Sequence, residues 1–513
     1  MKRFFTKFGR FFWSWCFLKF VLWAVTLIIF LYVEEDWRGA RAWAATKAKW
    51  EAKGESFDFN ELVPPPVPDD QNLAAIPLFK MEPDTDPKNK GNLAPLALHR
   101  AYRVGQPGND VPTGGWGNYQ RGKLPDMEKI REGVATQYAE VFKTALPTND
   151  SLAQFDALYP FIADLRTAAA TRPFCRFEQN YRFEPPYGLY MSLLTAQIAT
   201  SRILTNHALL ALDAHKPDLA LDDIKTNFKL VSGLREQPMY VSGLVAVGAT
   251  AVSLSAVYPG LALHSWNDTQ LADLENELAQ IDFLSNYQHV MRGEAICIMI
   301  PIYDSIKVNR HRLADILKKT YGETPESKSQ DFFPDFWADG WIDLTKTRSV
   351  SIDLNVVSLV DSKARLVFPK SADQFAAENA QVRWDTYFPW NIFSSVTAGP
   401  IANAVSHFAK MQVWLDEARI ACALERYRFA HGAYPDSLDV LAPACIAELP
   451  RDIMNGEPYH YLLRPDGTFL LYSVGWNQTD EGGKIVYKQD NPNQGDYTQG
   501  DWVWPTPQTA PAK

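Results

Sequence analysis

The apolar positions of this chain change period several times along its length. Phe11 to Val33 reads FFWSWCFLKFVLWAVTLIIFLYV, an unbroken apolar run with one internal charge, Lys19. As a helix rising about 1.5 Å per residue, it covers roughly the 30 Å hydrocarbon core of a bilayer. Trp37 to Lys53 continues it as a juxtamembrane helix, with Trp37, Trp43 and Trp50 placed for the headgroup region. The run Val63-Pro64-Pro65-Pro66-Val67-Pro68 then favours an extended spacer.

From Asp126 onward the period is helical. Ala220, Ile224, Phe228, Val231 and Leu234 share one face of a helix that starts at Pro217, and Leu271, Leu274, Leu278 and Ile281 repeat the pattern. Pro238 to Leu263 carries no charge, which raises a second membrane span. Its Ala, Gly, Ser and Val content and the interruption at Pro259-Gly260 favour a buried helix instead. Ala404, Phe408, Met411, Leu415, Ala418 and Cys422 predict a long amphipathic helix, with Lys410, Gln412, Asp416, Glu417 and Arg419 largely elsewhere on the wheel. His431-Gly432 offers a left-handed cap, and Pro435 to Ser437 opens a short second helix ending before Pro450. Tyr459 to Leu463 and Thr468 to Val474 are β-prone runs around Arg464-Pro465-Asp466-Gly467, which predicts a hairpin.

The expected fold is therefore mainly α, with an N-terminal transmembrane helix, a repeat-like helical body and a small α+β terminus. Its parts are a basic tip and anchor at 1–33, a juxtamembrane helix and linker at 34–70 and a loop-rich segment at 71–125. The helical body follows at 126–395, the α+β domain at 396–485 and a polar tail at 486–513. A chain of 513 residues has room for several cores.

Around the hairpin, His431-Gly432-Ala433-Tyr434-Pro435-Asp436 and Ser473-Val474-Gly475, closing on Gly482-Gly483, resemble the globular end of the major pseudopilin of type II secretion systems. The resemblance covers about residues 402–485. It implies a long helix, a small antiparallel sheet and a calcium-binding turn. Asp452, Asn477 and Asp480 are the side chains it offers to calcium, and the alternative is a plain polar turn. The prepilin cleavage site and contiguous membrane helix of that family are missing, so assembly into a pilus is not implied. Leu209 to Leu234 and Met291 to Ala295 resemble the helical middle domain of membrane-anchored bacterial envelope proteins with this kind of terminus.

Charge sets the address. The net charge is −9, but no acidic residue lies in the first 33 positions, and the remainder carries 46 basic against 60 acidic residues. An acidic body disfavours nucleic acid as a partner. Basic residues before the apolar run and Glu34-Glu35-Asp36 after it predict an inner-membrane protein with a cytoplasmic N-terminus and a periplasmic body. The rival is a cleaved signal peptide, whose apolar region is usually shorter and ends in small residues.

Chemistry is sparse. Glycine-rich runs at 105–110 and 113–118 lack the Gly-Lys-Ser/Thr of a P-loop, and no zinc-protease, serine-hydrolase or dinucleotide motif appears. The nine histidines show no metal-ligand spacing. For Cys422 and Cys445, a disulfide and buried free thiols both stay open. Glu294 is either a buried acid with a raised pKa or the partner of a nearby arginine. No catalytic or cofactor residue is assigned. The expected role is a scaffold or adaptor binding another envelope or secretion protein. The alternative is a periplasmic glycan hydrolase, with aromatic residues around 331–341 lining its cleft and a carboxylate pair that one sequence cannot reveal.

Overall fold

The computed structural model describes residues 15–83, 93–103, 122–143, 150–177, 181, 191–309, 337–380, 401, 403–489 and 495–506. The glycine-rich runs at 105–118, the aromatic run 331–336 and Phe388-Pro389-Trp390 lie outside them. The described chain is mainly helical, with a few small antiparallel sheets.

One helix, Trp15–Glu51, carries the apolar run from Trp15 and the segment read as juxtamembrane without a break. It is long and apolar enough to cross a membrane. Beyond the apolar run it docks on the helix Asp339–Val357, where Gly39 and Gly340 let the two backbones touch. Gly340 N–H donates to Asp36 Oδ1 at 2.8 Å. The headgroup expectation fails for two of the three tryptophans. Trp50 is buried among Ala295, Ile296, Val350 and Leu354, and Trp43 packs beside it with the Lys346 ammonium 4.5 Å from its ring centroid. Only Trp37 stays exposed. The apolar side of this helix turn has a protein surface to cover it, which the sequence did not reveal.

The body is built from long helices that share one core. Met191–Asp213, Pro217–Arg235 and Tyr240–Ala262 pack pairwise, and the last also meets Phe283–Gly293 and Ala404–His431. Tyr240–Ala262 is also long and apolar enough to cross a membrane, yet its most apolar stretch is 61% buried inside the protein. Pro217 occupies the first turn of its helix, where a missing N–H costs nothing. Asn267 and Gln270 form a reciprocal capping box at the start of Asp268–Ala279. Between Phe283–Gly293 and Ile300–Val308 lies a π-helical turn, Glu294–Met299.

Ala404–His431 is enclosed by the helices Asp268–Ala279, Tyr240–Ala262 and Phe283–Gly293. Phe408 packs edge-on against Phe283 and Tyr287 at ring distances of 6.2 and 5.4 Å. The positions read as its outer face are interior: Gln412, Asp416 and Glu417 are buried. Gly432, at φ 82°, caps the helix by donating to the Arg428 carbonyl. The second helix after it shrinks to one 3-10 turn, Leu438–Leu441, because Pro443 follows without an N–H to extend it.

Two short antiparallel pairs come first in the chain, β1 (Glu82–Pro83) with β2 (Leu93–Ala94) and β3 (Val360–Asp361) with β4 (Leu366–Val367). Strands β5 (His460–Leu463) and β6 (Phe469–Ser473) form the hairpin, in register from His460↔Tyr472 to Leu463↔Phe469. Gly467, at φ 80°, supplies the left-handed turn position. The segment read as a polar tail adds two strands. Gly495–Gly500 (β8) pairs with Ile485–Tyr487 (β7), and Trp502–Val503 (β9) completes a three-stranded sheet in the order β5-β6-β9. Burial of Trp502, Val503 and Trp504 explains why this stretch is ordered against the body.

Candidate functional site

The clearest concave site is a cavity of about 310 Å³ where the helical body meets the hairpin. Tyr258 and Leu261 from the end of the central helix, Phe469 at the start of β6 and Trp504 after β9 give it apolar walls. His264, Glu425, Arg428 and Tyr434 converge on it, and Asp466 stands at the hairpin turn. Apolar walls with a few convergent polar groups are the usual composition of a ligand pocket.

Local folding explains the convergence. Glu425 and Arg428 are one helical turn apart, the Gly432 cap reverses the chain, and Tyr434 returns beside Glu425. Tyr434 is fixed by edge-on packing against Phe469 at 4.9 Å, while Tyr461 donates to the Pro435 carbonyl at 2.6 Å. Glu425 then accepts from three residues: His264 Nδ1 at 2.8 Å, Arg428 Nη2 at 2.9 Å and Nε at 3.1 Å, and the Tyr434 hydroxyl. Burial opposes its charge, but the hydrogen bonds from His264, Tyr434 and Arg428 prevail and hold the carboxyl below its ordinary range. The Thr468 hydroxyl and N–H hold Asp466 low as well. Both carboxylates are therefore ionised at neutral pH, suited to accepting hydrogen bonds rather than to giving up a proton.

Three further polar clusters lie inside the body. His207 is fully buried between Asp223, 2.5 Å from Nδ1, and Asp156, 3.0 Å from Nε2, while Arg166 reaches Asp223 at 3.0 Å. Burial works against a charged ring, yet the two carboxylate hydrogen bonds outweigh it and raise its pKa. At the foot of the hairpin, Arg365 and Gln412 bond Asp416. Neighbouring Glu417 is buried with neither oxygen hydrogen-bonded among the described residues, and burial pushes its pKa well up. Asp416 and Glu417 were missed because a helical wheel assigns them to solvent. Their one sequence signal is a charged pair inside the apolar run from Met411 to Cys422.

The third cluster involves Glu294, in the π turn, which accepts from the Tyr240 N–H at 3.0 Å. Arg292 does not pair with it, binding Glu55 at 2.7 and 3.0 Å instead. Burial raises Glu294 to about 7 and, together with Glu294, lifts Asp353 well above its ordinary value. Of the aromatic stretch, Trp337 packs against Tyr303, Ile306 and Ile342 in the helical body.

Each side chain offered to calcium already has protein partners. Asp452 accepts from Met454 N, Ser473 Oγ and Val474 N at 2.9 to 3.0 Å. Asp480 accepts from the Tyr472 hydroxyl and Gly482 N, and Asn477 bonds Glu481 and Thr479. No group of three or more His, Cys, Asp or Glu side chains arranged for a metal occurs among the described residues. Cys422 and Cys445 are free thiols, both buried. Comparison of the chain with protein-family models, with curated proteins and with solved structures returns no match.

Proposed function

We propose that this protein is a single-span membrane tether whose body acts as a scaffold or adaptor for another envelope or secretion protein. The observation that carries this reading is mechanical. The membrane-length helix runs unbroken into a segment locked backbone-to-backbone onto Asp339–Val357, so the body is coupled rigidly to the anchor. A flexible linker would serve a freely diffusing catalytic domain as well, whereas a rigid stalk suits a component that holds position. The charge bias around the apolar run supports a cytoplasmic N-terminus and a periplasmic body. Strand β5 lies at the edge of its sheet and exposes Leu462, a surface that suits strand addition by an extended partner segment. The order of long helix and hairpin supports a pseudopilin-like terminus.

A photoreactive residue at Leu462 in the full-length protein, irradiated in its native membrane, tests the proposal. A discrete adduct that forms only on irradiation of the Leu462 variant, and not with the probe at a buried position such as Leu471, is the expected result. Absence of any adduct from Leu462 and from exposed positions of the helical body would remove the adaptor reading.

The second reading, a glycan hydrolase, draws on Glu425 and Asp466 lining one cavity. Such enzymes need one carboxylic acid kept protonated, and both groups here are held low. Glycan-cleaving activity abolished by Glu425→Gln would favour this reading over the tether.

A further inference from the structure

A second cavity, a groove of about 490 Å³, lies between the three-stranded sheet and the β7–β8 ribbon. Leu470 and Val503 from the sheet, Ile485 from the ribbon and Trp504 give it an apolar floor. Lys123 and Arg464 stand on its rim, and no carboxylate lines it among the described residues.

That absence is notable in a body with 46 basic against 60 acidic residues. Neither cation forms an ion pair with a described residue, although most basic side chains of the helical core do. Two carboxylates of the neighbouring turns accept hydrogen bonds there and do not line the groove. Asp466, in the same turn as Arg464, accepts from Thr468, and Asp501, behind Gly483, accepts from the N–H groups of Glu481, Gly483 and Lys484. The groove thus presents two basic side chains, and no carboxylate among its lining residues, above an apolar strip.

We propose that this groove binds an acidic, apolar segment of a partner protein, with carboxylates on Lys123 and Arg464 and alternate apolar side chains on the floor. The inference rests on the adaptor reading and adds the chemistry of its partner. Two strand-built walls match an extended chain, whose side chains alternate between floor and rim. Guanidinium and ammonium groups with no salt bridge among the described residues supply charge-assisted hydrogen bonds without first breaking one.

The test uses purified full-length protein in detergent and two labelled peptides, one alternating glutamate with valine and one alternating lysine with valine. Fluorescence anisotropy should show binding of the glutamate peptide alone, weakening as salt is raised. Arg464→Glu and Lys123→Glu should each weaken it about tenfold or more, the scale of one lost charge-assisted contact. Lys123 is exposed and Arg464 half-buried without an ion pair, so both variants should keep the parental thermal midpoint. Equal binding of the two peptides, or glutamate-peptide binding indifferent to both reversals, overturns the proposal. So does Arg464-dependent binding to phosphatidylglycerol vesicles with no binding to the peptide, which would assign the groove to a lipid headgroup. A Leu462 adduct that survives both reversals would keep the adaptor reading while removing this groove from it.

Discussion

Gly39 and Gly340 meet backbone to backbone. A Cβ on Gly39 would lie 2.3 Å from the Gly340 carbonyl oxygen, and one on Gly340 would lie 1.9 Å from the Glu35 carbonyl oxygen. No side chain fits either gap without parting the helices. Gly340→Ala should destabilise the protein by about 1–3 kcal/mol, the usual cost of overpacking a tight contact. It should also speed tryptic cleavage at Arg38 and Arg41, whose backbone the docking keeps helical. Gly248→Ala is the control, because its new Cβ would meet only Ile198 Cδ1 at 3.4 Å. Thermal midpoints in detergent and a timed digest separate the two variants. A Gly340→Ala protein as stable and protease-resistant as the parent would mean that the stalk is not locked there.

His207 makes a pH prediction. Its folded pKa is raised, so the protonated ring between Asp156 and Asp223 stabilises fully below the ordinary value of 6.5, and that contribution is lost as pH rises through the folded value. Asp156 is held low by the same contact, so acid weakens the network as pH falls below 3.8 toward its folded value. His207→Gln leaves Asp223 buried with Arg166 as its remaining ion-pair partner. It should cost about 3–5 kcal/mol, the penalty for breaking a buried pair. The gap between parent and variant should be widest near neutral and mildly acidic pH and shrink in base. A gap that grows with pH would show that the ring is neutral.

The long C-terminal helix and its hairpin were legible because their cues are local. Ala404, Phe408, Met411, Leu415, Ala418 and Cys422 mark a stripe, Gly432 ends the helix and Pro465-Asp466-Gly467 turns the hairpin. What the wheel could not convey is that this helix is covered on its other sides too. Asp416 is charged and interior because Arg365, 51 positions away, reaches it, and Arg419 is satisfied by Glu275. The cavity has the same origin, since His264 and Glu425 are 161 positions apart. Trp502-Val503 is too short a run to display a strand period, and its pairing with Tyr472 and Ser473 is a tertiary event. The membrane-length apolar helix was readable from composition alone, whereas its docking on Gly340 needed the fold.

Glu294 gives a second pH dependence, in the same sense as that of His207. Burial raises its pKa from 4.5 to about 7, so folding keeps a proton that the unfolded chain releases across that window. Stability from this group is fully present below pH 4.5 and declines as pH rises through about 7, by roughly 3 kcal/mol in all. Glu294→Gln keeps an acceptor for the Tyr240 N–H and removes the ionisation. Chemical denaturation on either side of the window should show the variant gaining on the parent as pH rises. Parallel profiles would mean that Glu294 titrates normally and that the π turn opens to water.

Asp452 ties the foot of the hairpin together, and this defines the competition any metal would face. Its two oxygens hold Met454 N, Ser473 Oγ and Val474 N in the interior. Asp452→Ala strands those three donors, and about 1–3 kcal/mol for each buried unsatisfied group is enough to threaten the fold. Asp452→Asn retains a carbonyl acceptor and should lose less. Calcium requires six to eight oxygens, and a metal using Asp452 and Asp480 would have to displace donors already at hydrogen-bond distance. Neither millimolar calcium nor a chelator should therefore move the thermal midpoint of the parent protein. A midpoint that rises with calcium in the parent and not in Asp452→Asn would instead place the metal at this turn and show that the hairpin rearranges to admit it.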